Sequence, residues 1–332
     1  MNPLGRIAVI GGGSWATALA KLLMNNCDRI VWYIHRQDRI DDFIKYRHNP
    51  VYLSDVTFDT ARIDFYSDIN EALTNADTLV VAVPSPYFKF HADKITVDIS
   101  GKNVVSAVKG IVPDGNMIVT EYFKKVFGCK DENMMVIGGP CHAEEVALER
   151  LSYLTIGCHD PEKSRHFADL LSGKKLKTIL SDDVAGIEYG AVLKNVYAIA
   201  AGVISGMKAG DNFMAMMVCN AIREMRSFVD AIAPIKRDIC RSAYLGDLLV
   251  TAYSRFSRNH NFGSMIGKGY GVKAAQMEME MVAEGYYGTN CMHQINSETV
   301  NVDMPILDCV YSILYEGVTP KRAFKKIEGS FT

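Results

Sequence analysis

Short apolar runs and helical patterns alternate through the first half of the chain. Residues 6–10 (RIAVI) and 29–34 (RIVWYI) read as strands, with the helical pattern 14–26 between them. Further strand-like runs lie at 77–83, 103–108 and 134–137. Each is nearly continuous in apolar residues, as expected of parallel strands covered by helices on both faces. Residues 152–157 and 175–180 add two more strands around a helix at 161–171. This alternation predicts an α/β, Rossmann-like, doubly wound sheet. The pattern changes near Ser181-Asp182-Asp183, after which helical periodicity dominates to the end. Asp182 or Asp183 can cap a long helix running toward Ile204. Its Ala, Gly and Val content lets another element approach closely. Gly263, Gly267, Gly269 and Gly271 are expected to interrupt the helical region once. The pattern thus predicts a first domain at 1–181 and an all-α domain at 182–332.

Composition narrows the function classes. The 332 residues are 48% hydrophobic and 22% charged, enough apolar content for a large core. Lys and Arg number 36 against 38 Asp and Glu, a net charge of −2, which offers no general attraction for nucleic acid. No unbroken apolar stretch approaches the roughly 18–20 residues that span a bilayer. The first residues do not read as a signal peptide. The 8 Cys form no CxxC pair and the 8 His no HxxxH pair, so no metal site is expected. Scattered thiols fit a reducing, cytoplasmic setting. The helical half leaves faces for a homodimer.

The sharpest local motif follows the first strand directly: Gly11-Gly-Gly13-Ser14-Trp15-Ala16, a GxGxxA turn. Gly11 permits the tight turn, Gly13 lets the backbone approach a pyrophosphate, and a small Ala16 lets the helix pack on the strand. The N–H groups opening that helix then attract phosphates. At the end of the second strand, where NAD sites usually carry an acid, stand His35 and Arg36. A cation suits a 2′-phosphate, which admits NADP. Asp38, two residues on, remains able to serve a ribose hydroxyl.

Ligands in such sheets bind beyond the carboxyl ends of the strands. Lys109-Gly110 and Gly138-Gly139-Pro140 follow two strands and so belong to that crevice. Lys194 interrupts an otherwise apolar helical run, where a lysine needs a partner and shifts its pKa readily. A lysine so placed can give a proton to the alkoxide that ketone reduction generates. Snorkelling to the surface is the structural alternative. Asp247 can orient a lysine, and Ser257-Arg258-Asn259 at a helix start offer donors for a phosphate site.

Taken in order, these segments resemble the bacterial-type NAD(P)-dependent sn-glycerol-3-phosphate dehydrogenases. The resemblance runs through the glycine turn, Lys109-Gly110, Gly139-Pro140, Leu193-Lys194-Asn195-Val196, Leu245-Gly246-Asp247-Leu248, Ser257-Arg258-Asn259 and Val282-Ala283-Glu284-Gly285. It implies a second domain like that of 6-phosphogluconate dehydrogenase. It also implies interconversion of dihydroxyacetone phosphate and glycerol 3-phosphate with NAD(H) or NADP(H), supplying glycerophospholipid synthesis. Lys194 would be the catalytic acid and base. Lys109, Gly139, Cys141, Lys194, Asp247, Ser257, Arg258 and Asn259 would surround the substrate. Gly11, Gly13, Ser14, Trp15, His35, Arg36, Lys109, Ala143, Arg258, Val282 and Glu284 would hold the cofactor. Two departures stand out. Ala16 replaces the usual third glycine, and Cys141-His142 replaces the usual Ser/Thr-Phe, which leaves Cys141 its backbone in place of a hydroxyl. Dehydrogenases of β-hydroxy acids or ketopantoate share the domain plan but not this motif set. A non-catalytic nucleotide sensor would need no Lys194, Lys109 and Asp247 together.

Overall fold

A computed structural model describes residues 3–254, 256–279 and 281–331 of the protein. It separates into two compact units, one of Met1–Val108 with Val119–Val184, the other of Lys109–Ile118 with Ala185–Thr332.

The first unit is built on eight strands: β1 (Ile7–Ile10), β2 (Ile30–Tyr33), β3 (Ile63–Tyr66), β4 (Thr78–Val81), β5 (Asn103–Ser106), β6 (Met134–Gly138), β7 (Ser152–Cys158) and β8 (Leu176–Ser181). They form one sheet in the order β3-β2-β1-β4-β5-β6-β7-β8. Pairing is parallel throughout, except that β7 runs antiparallel to β6. Around the sheet lie α1 (Ser14–Asn26), α2 (Gln37–Tyr46), α3 (Ile69–Thr74), α4 (Ser85–Ala92), α5 (Val119–Phe127), α6 (Ala143–Ala147) and α7 (Pro161–Leu171). Successive strand residues face opposite sides. Ile7 and Val9 of β1 join Trp32, Val80, Val105 and Ile137 in a core with Leu19, Leu23 and Phe43. Ile10, Leu79 and Val81 instead face Leu73, Phe88 and Phe123. Both faces are therefore covered, which is why these strands carry unbroken apolar runs. The order reverses between β1 and β4, and the glycine turn leaves β1 at that switch point.

The sequence reading misses β3. Its IDFY sequence carries an acid at Asp64, it sits at the sheet edge, and only Ile63 is fully buried, so its signal is weak.

The second unit is helical: α8 (Val184–Gly206, its first residue counted with the first unit), α9 (Asp211–Ile232), α10 (Asp247–Tyr253), α11 (Arg258–Gly267), α12 (Val272–Glu278), α13 (Glu284–Ile295), α14 (Pro305–Tyr315) and α15 (Pro320–Ile327). Glycines set how closely α8 and α11 approach. A Cβ at Gly202 would lie 2.0 Å from the His260 carbonyl oxygen, and one at Gly263 would lie 2.1 Å from that of Ile199. Gly206 and Gly267 face each other in the same way one turn later. Gly263 and Gly267 therefore lie inside α11 and do not break it; the chain turns only after Gly267. Burying these backbones against each other replaces the side-chain packing that glycine lacks.

One other expectation needs correction. Lys109–Ile118 belongs to the helical unit, although the sequence pattern assigns it to 1–181. The segment turns back on itself at Val112 and Met117, and Asn195 Nδ2 donates to the Lys109 carbonyl while Asn116 Nδ2 donates to Gln294 Oε1 at 2.8 Å. As expected, no unbroken apolar stretch is long enough to span a bilayer; α8 reaches that length and mean apolarity only with Glu188, Lys194 and Asn195 inside it. Its most apolar window is entirely buried in the protein.

Candidate active site

The turn after β1 is specified residue by residue. Gly11 has φ +129°, and a Cβ there would lie 2.7 Å from the Ala82 carbonyl oxygen. Only glycine meets both conditions. Gly13 has an ordinary extended backbone at φ −82°, and a Cβ there would meet nothing within 4 Å. Its smallness is not required by the surrounding protein, and the space beside it is open. Ala16 is fully buried against the core. Ser14 opens α1 and Trp15 packs partly buried beside it. The helix has no side-chain cap and no acid in its first turn, so its opening N–H groups suit an anion.

Two side chains brace this turn. Trp32 Nε1 donates to the Gly11 carbonyl at 2.7 Å. Asn49 Nδ2 donates to the Gly12 carbonyl at 3.1 Å and to Thr17 Oγ1 at 2.8 Å. Asn49 is buried. Sequence reasoning passes over it, because a lone Asn before Pro50 looks like an ordinary turn residue.

Beyond β2, His35 and Arg36 are exposed. The Arg36 guanidinium grips Asp38, with Nε donating to Oδ1 at 3.0 Å and Nη2 donating to Oδ2. Partial desolvation holds the His35 pKa below its usual value, and the charges of Lys94, Arg39 and Arg36 push the same way against Asp38. A glycine cradle, an uncapped helix start and a cationic strand end together fit the phosphates and ribose of a dinucleotide.

In the first unit, Gly139 follows β6 at φ +107°, and a Cβ there would lie 2.9 Å from the Tyr153 carbonyl oxygen. The Cys141 thiol donates to that same carbonyl at 3.5 Å. Its side chain is thus turned into the fold, and its backbone is what Cys141 can offer a ligand. Ala143 opens α6.

The second unit brings the predicted charged groups together. Lys194, on α8, is 3% exposed, and Asp247, at the start of α10, is 1% exposed. Lys194 Nζ donates directly to Asp247 Oδ1. Lys109 Nζ lies 3.7 Å from Asp247 Oδ2. One buried carboxylate therefore serves two ammonium groups. A wide π-type turn, Ser242–Gly246, delivers Asp247 into the cluster. Burial drives the Lys194 pKa down, Asp247 opposes it and Lys109 adds to it, and the balance falls at about 7. Such an amine exchanges a proton readily at neutral pH. Asn195, the next residue on α8, holds the Lys109 backbone through its carbonyl.

Ser257 caps α11, its Oγ accepting from the His260 N–H at 3.2 Å. Arg258 and Asn259 thus stand in the first helical turn, as expected. Asn259 Oδ1 accepts from the Gly285 N–H at 2.9 Å, which ties this helix start to the segment carrying Val282 and Glu284. Gly285 leaves room for that contact, since a Cβ there would lie 2.7 Å from the Asn195 carbonyl oxygen.

Comparison with known proteins bears on both units. Residues 6–164 match the family described as NAD-dependent glycerol-3-phosphate dehydrogenase N-terminus, and 183–325 match its C-terminus. A glycerol-3-phosphate dehydrogenase [NAD(P)+] of Oceanobacillus iheyensis is 32% identical over 323 residues, 97% of this chain and 93% of that one. Its counterpart in Lysinibacillus sphaericus is 34% identical over 321 residues, 96% and 94% of the two chains. The crystal structure of glycerol-3-phosphate dehydrogenase from Coxiella burnetii superposes with a TM-score of 0.88 at 27% identity, covering 98% of each chain.

Proposed function

The chain belongs to the NAD-dependent glycerol-3-phosphate dehydrogenase family, and we propose on that premise that it interconverts dihydroxyacetone phosphate and sn-glycerol 3-phosphate. The observation that carries the chemistry is the buried Lys194 on Asp247, with a pKa near neutrality. Bound NAD(P)H supplies the hydride for the carbonyl carbon. Lys194, as the ammonium, gives its proton to the carbonyl oxygen, so ketone, hydride and proton become the alcohol. In the reverse direction the neutral amine takes the hydroxyl proton. Asp247 fixes the Lys194 ammonium, and Lys109 adds a second positive charge toward the developing alkoxide.

The substrate phosphate suits the start of α11, where Arg258 and Asn259 follow the Ser257 cap. Gly139 and Cys141 would contribute backbone groups. Gly11, Gly13, Ser14 and Trp15 would hold the pyrophosphate side of NAD(H) or NADP(H), and His35 and Arg36 the adenosine ribose. Lys109, Ala143, Arg258, Val282 and Glu284 would complete the cofactor contacts. The product suits glycerophospholipid synthesis, and a cytoplasmic location suits eight cysteines that are all thiols.

The test is oxidation of NADH or NADPH dependent on dihydroxyacetone phosphate, followed by nicotinamide absorbance. Turnover with this substrate, and far less with unphosphorylated dihydroxyacetone or a β-keto acid, is the expected result. A folded protein that binds cofactor yet gives no such turnover would refute the substrate assignment.

A further inference from the structure

The end of β2 carries more than a cation for a 2′-phosphate. Arg36 stands just before α2 and Asp38 lies in its first turn. The Asp38 carboxylate accepts from Arg36 through both Nε and Nη2, and backbone N–H groups at the helix start, among them that of Arg39, also favour its charged form. A forked guanidinium and the opening N–H groups of a helix are the donors that bind a phosphate. Further positive charges bear on the neighbouring His35. Arg39 and Lys94 both act on His35, and Lys94 lies over the Phe90 ring, 3.8 Å from its centroid. Both partners of the Arg36–Asp38 pair are open to solvent, with 49% and 60% of their side chains exposed, so an incoming anion can reach them.

We propose that Asp38 is a specificity-determining residue whose carboxylate occupies, as a resident anion, the donor set that the 2′-phosphate of NADPH would use. NADPH must displace that carboxylate from Arg36 and then remain near its negative charge. NADH carries a neutral 2′-hydroxyl and meets neither cost. Asp38 therefore biases the enzyme toward NADH, while Arg36 keeps NADPH admissible. This inference rests on the cofactor reading above.

The test compares Asp38→Asn with the parent protein. Asn keeps the size and one acceptor for the helix start but carries no charge. NADPH and NADH affinities come from fluorescence titration, and kcat/KM is measured with each. Adenosine 2′,5′-bisphosphate serves as a probe of the phosphate site alone. The ratio of kcat/KM for NADPH over NADH should rise about two- to five-fold, the scale of an exposed ion pair. Affinity for the bisphosphate should rise in parallel, and the gain should shrink in high salt. In an Arg36→Ala background most of the gain should vanish. An unchanged ratio would overturn the proposal, as would equal changes for both cofactors. Loss of NADH binding alone would also overturn it, by making Asp38 a ligand of the ribose hydroxyl. Failure of the parent to bind either cofactor would remove the cofactor reading and this inference with it.

Discussion

The proposed role of Lys194 places proton transfer in one side chain, and its surroundings fix the sign of its pH response. Reduction needs the ammonium, whose population falls as pH rises through about 7. Oxidation needs the amine, whose population falls as pH drops through the same value. The kcat/KM profiles for the two directions should therefore run in opposite senses across neutrality. An ordinary lysine, titrating near 10.5, would leave reduction level to beyond pH 9. A level reduction profile between pH 6 and 9 would thus reject the lowered Lys194 pKa and leave the identity of the proton donor to the variants. Lys194→Met should lower kcat by about 10²- to 10⁴-fold with cofactor binding retained. Lys194→Arg should not restore it, because a guanidinium does not release its proton near neutrality. Near-normal turnover in a folded Lys194→Met variant would move the role to Lys109. At this scale the sequence was informative wherever a residue stood out from its local pattern. A lysine amid Val, Leu and Tyr announces itself, and so does Asp247 after Leu-Gly. The direction of the Lys194 shift was not legible, because burial and Lys109 oppose Asp247 and only distances decide between them. Asn49 was not legible either, since its bond to Gly12 joins residues 37 positions apart across a loop.

At the scale of elements, two glycines in one turn have different work. Gly13→Val places a branched side chain in open space at a backbone conformation valine accepts. The fold should survive and NAD(P)H affinity should fall by at least tenfold, read by fluorescence titration beside a thermal melt. Gly11→Val meets the Ala82 carbonyl and a positive φ, so it should lower Tm markedly before any binding can be measured. A Gly13→Val protein with parental cofactor affinity would show that the pyrophosphate lies elsewhere. The crossing of α8 and α11 allows a second paired test. Gly263→Leu drives a side chain into the α8 backbone at Ile199 and should exceed the ~1–3 kcal/mol of ordinary overpacking. Gly271→Ala, where a Cβ meets nothing within 4 Å, should leave the melting curve unchanged. Equal stability of the two variants would contradict the close crossing. The sequence showed strands and long helices because their apolar runs are long and regular. It misread the 263–271 glycines as one break, since glycine inside a helix and glycine after it look alike until the partner backbone is known. β3 escaped because a four-residue edge strand half open to water needs little apolar pattern.

On the scale of the whole molecule, the change of periodicity near 181 falls between β8, which ends at Ser181, and α8, which starts at Val184. It could not show that Lys109–Ile118 joins the helical unit, because the bonds anchoring the segment reach 86 and 178 residues along the chain. Stability is likewise a property of the whole chain, and two buried titratable groups in the helical unit shape it against pH. Glu224 on α9 accepts from the N–H groups of Ile306 and Leu307, at 2.8 and 3.0 Å, and so caps α14. Burial outweighs those bonds and raises its pKa from 4.5 to about 8. Between these values the folded protein holds a proton that the unfolded chain releases, so this contribution is intact below about 4.5 and is lost as pH rises through about 8. Lys194 acts in the opposite sense. Its contribution is present above 10.5 and is lost as pH falls through about 7. Glu224→Gln removes the first contribution and leaves the second, so the difference between variant and parent isolates Glu224. At pH 5 the variant should be the less stable, because an amide has one acceptor oxygen for two backbone donors. The difference in Tm, variant minus parent, should then climb with pH to about 8 and reach a few kcal/mol in stability, several degrees for a domain of this size. A difference that stays level from pH 5 to 9 would mean that Glu224 ionises in the folded protein as freely as in the unfolded chain.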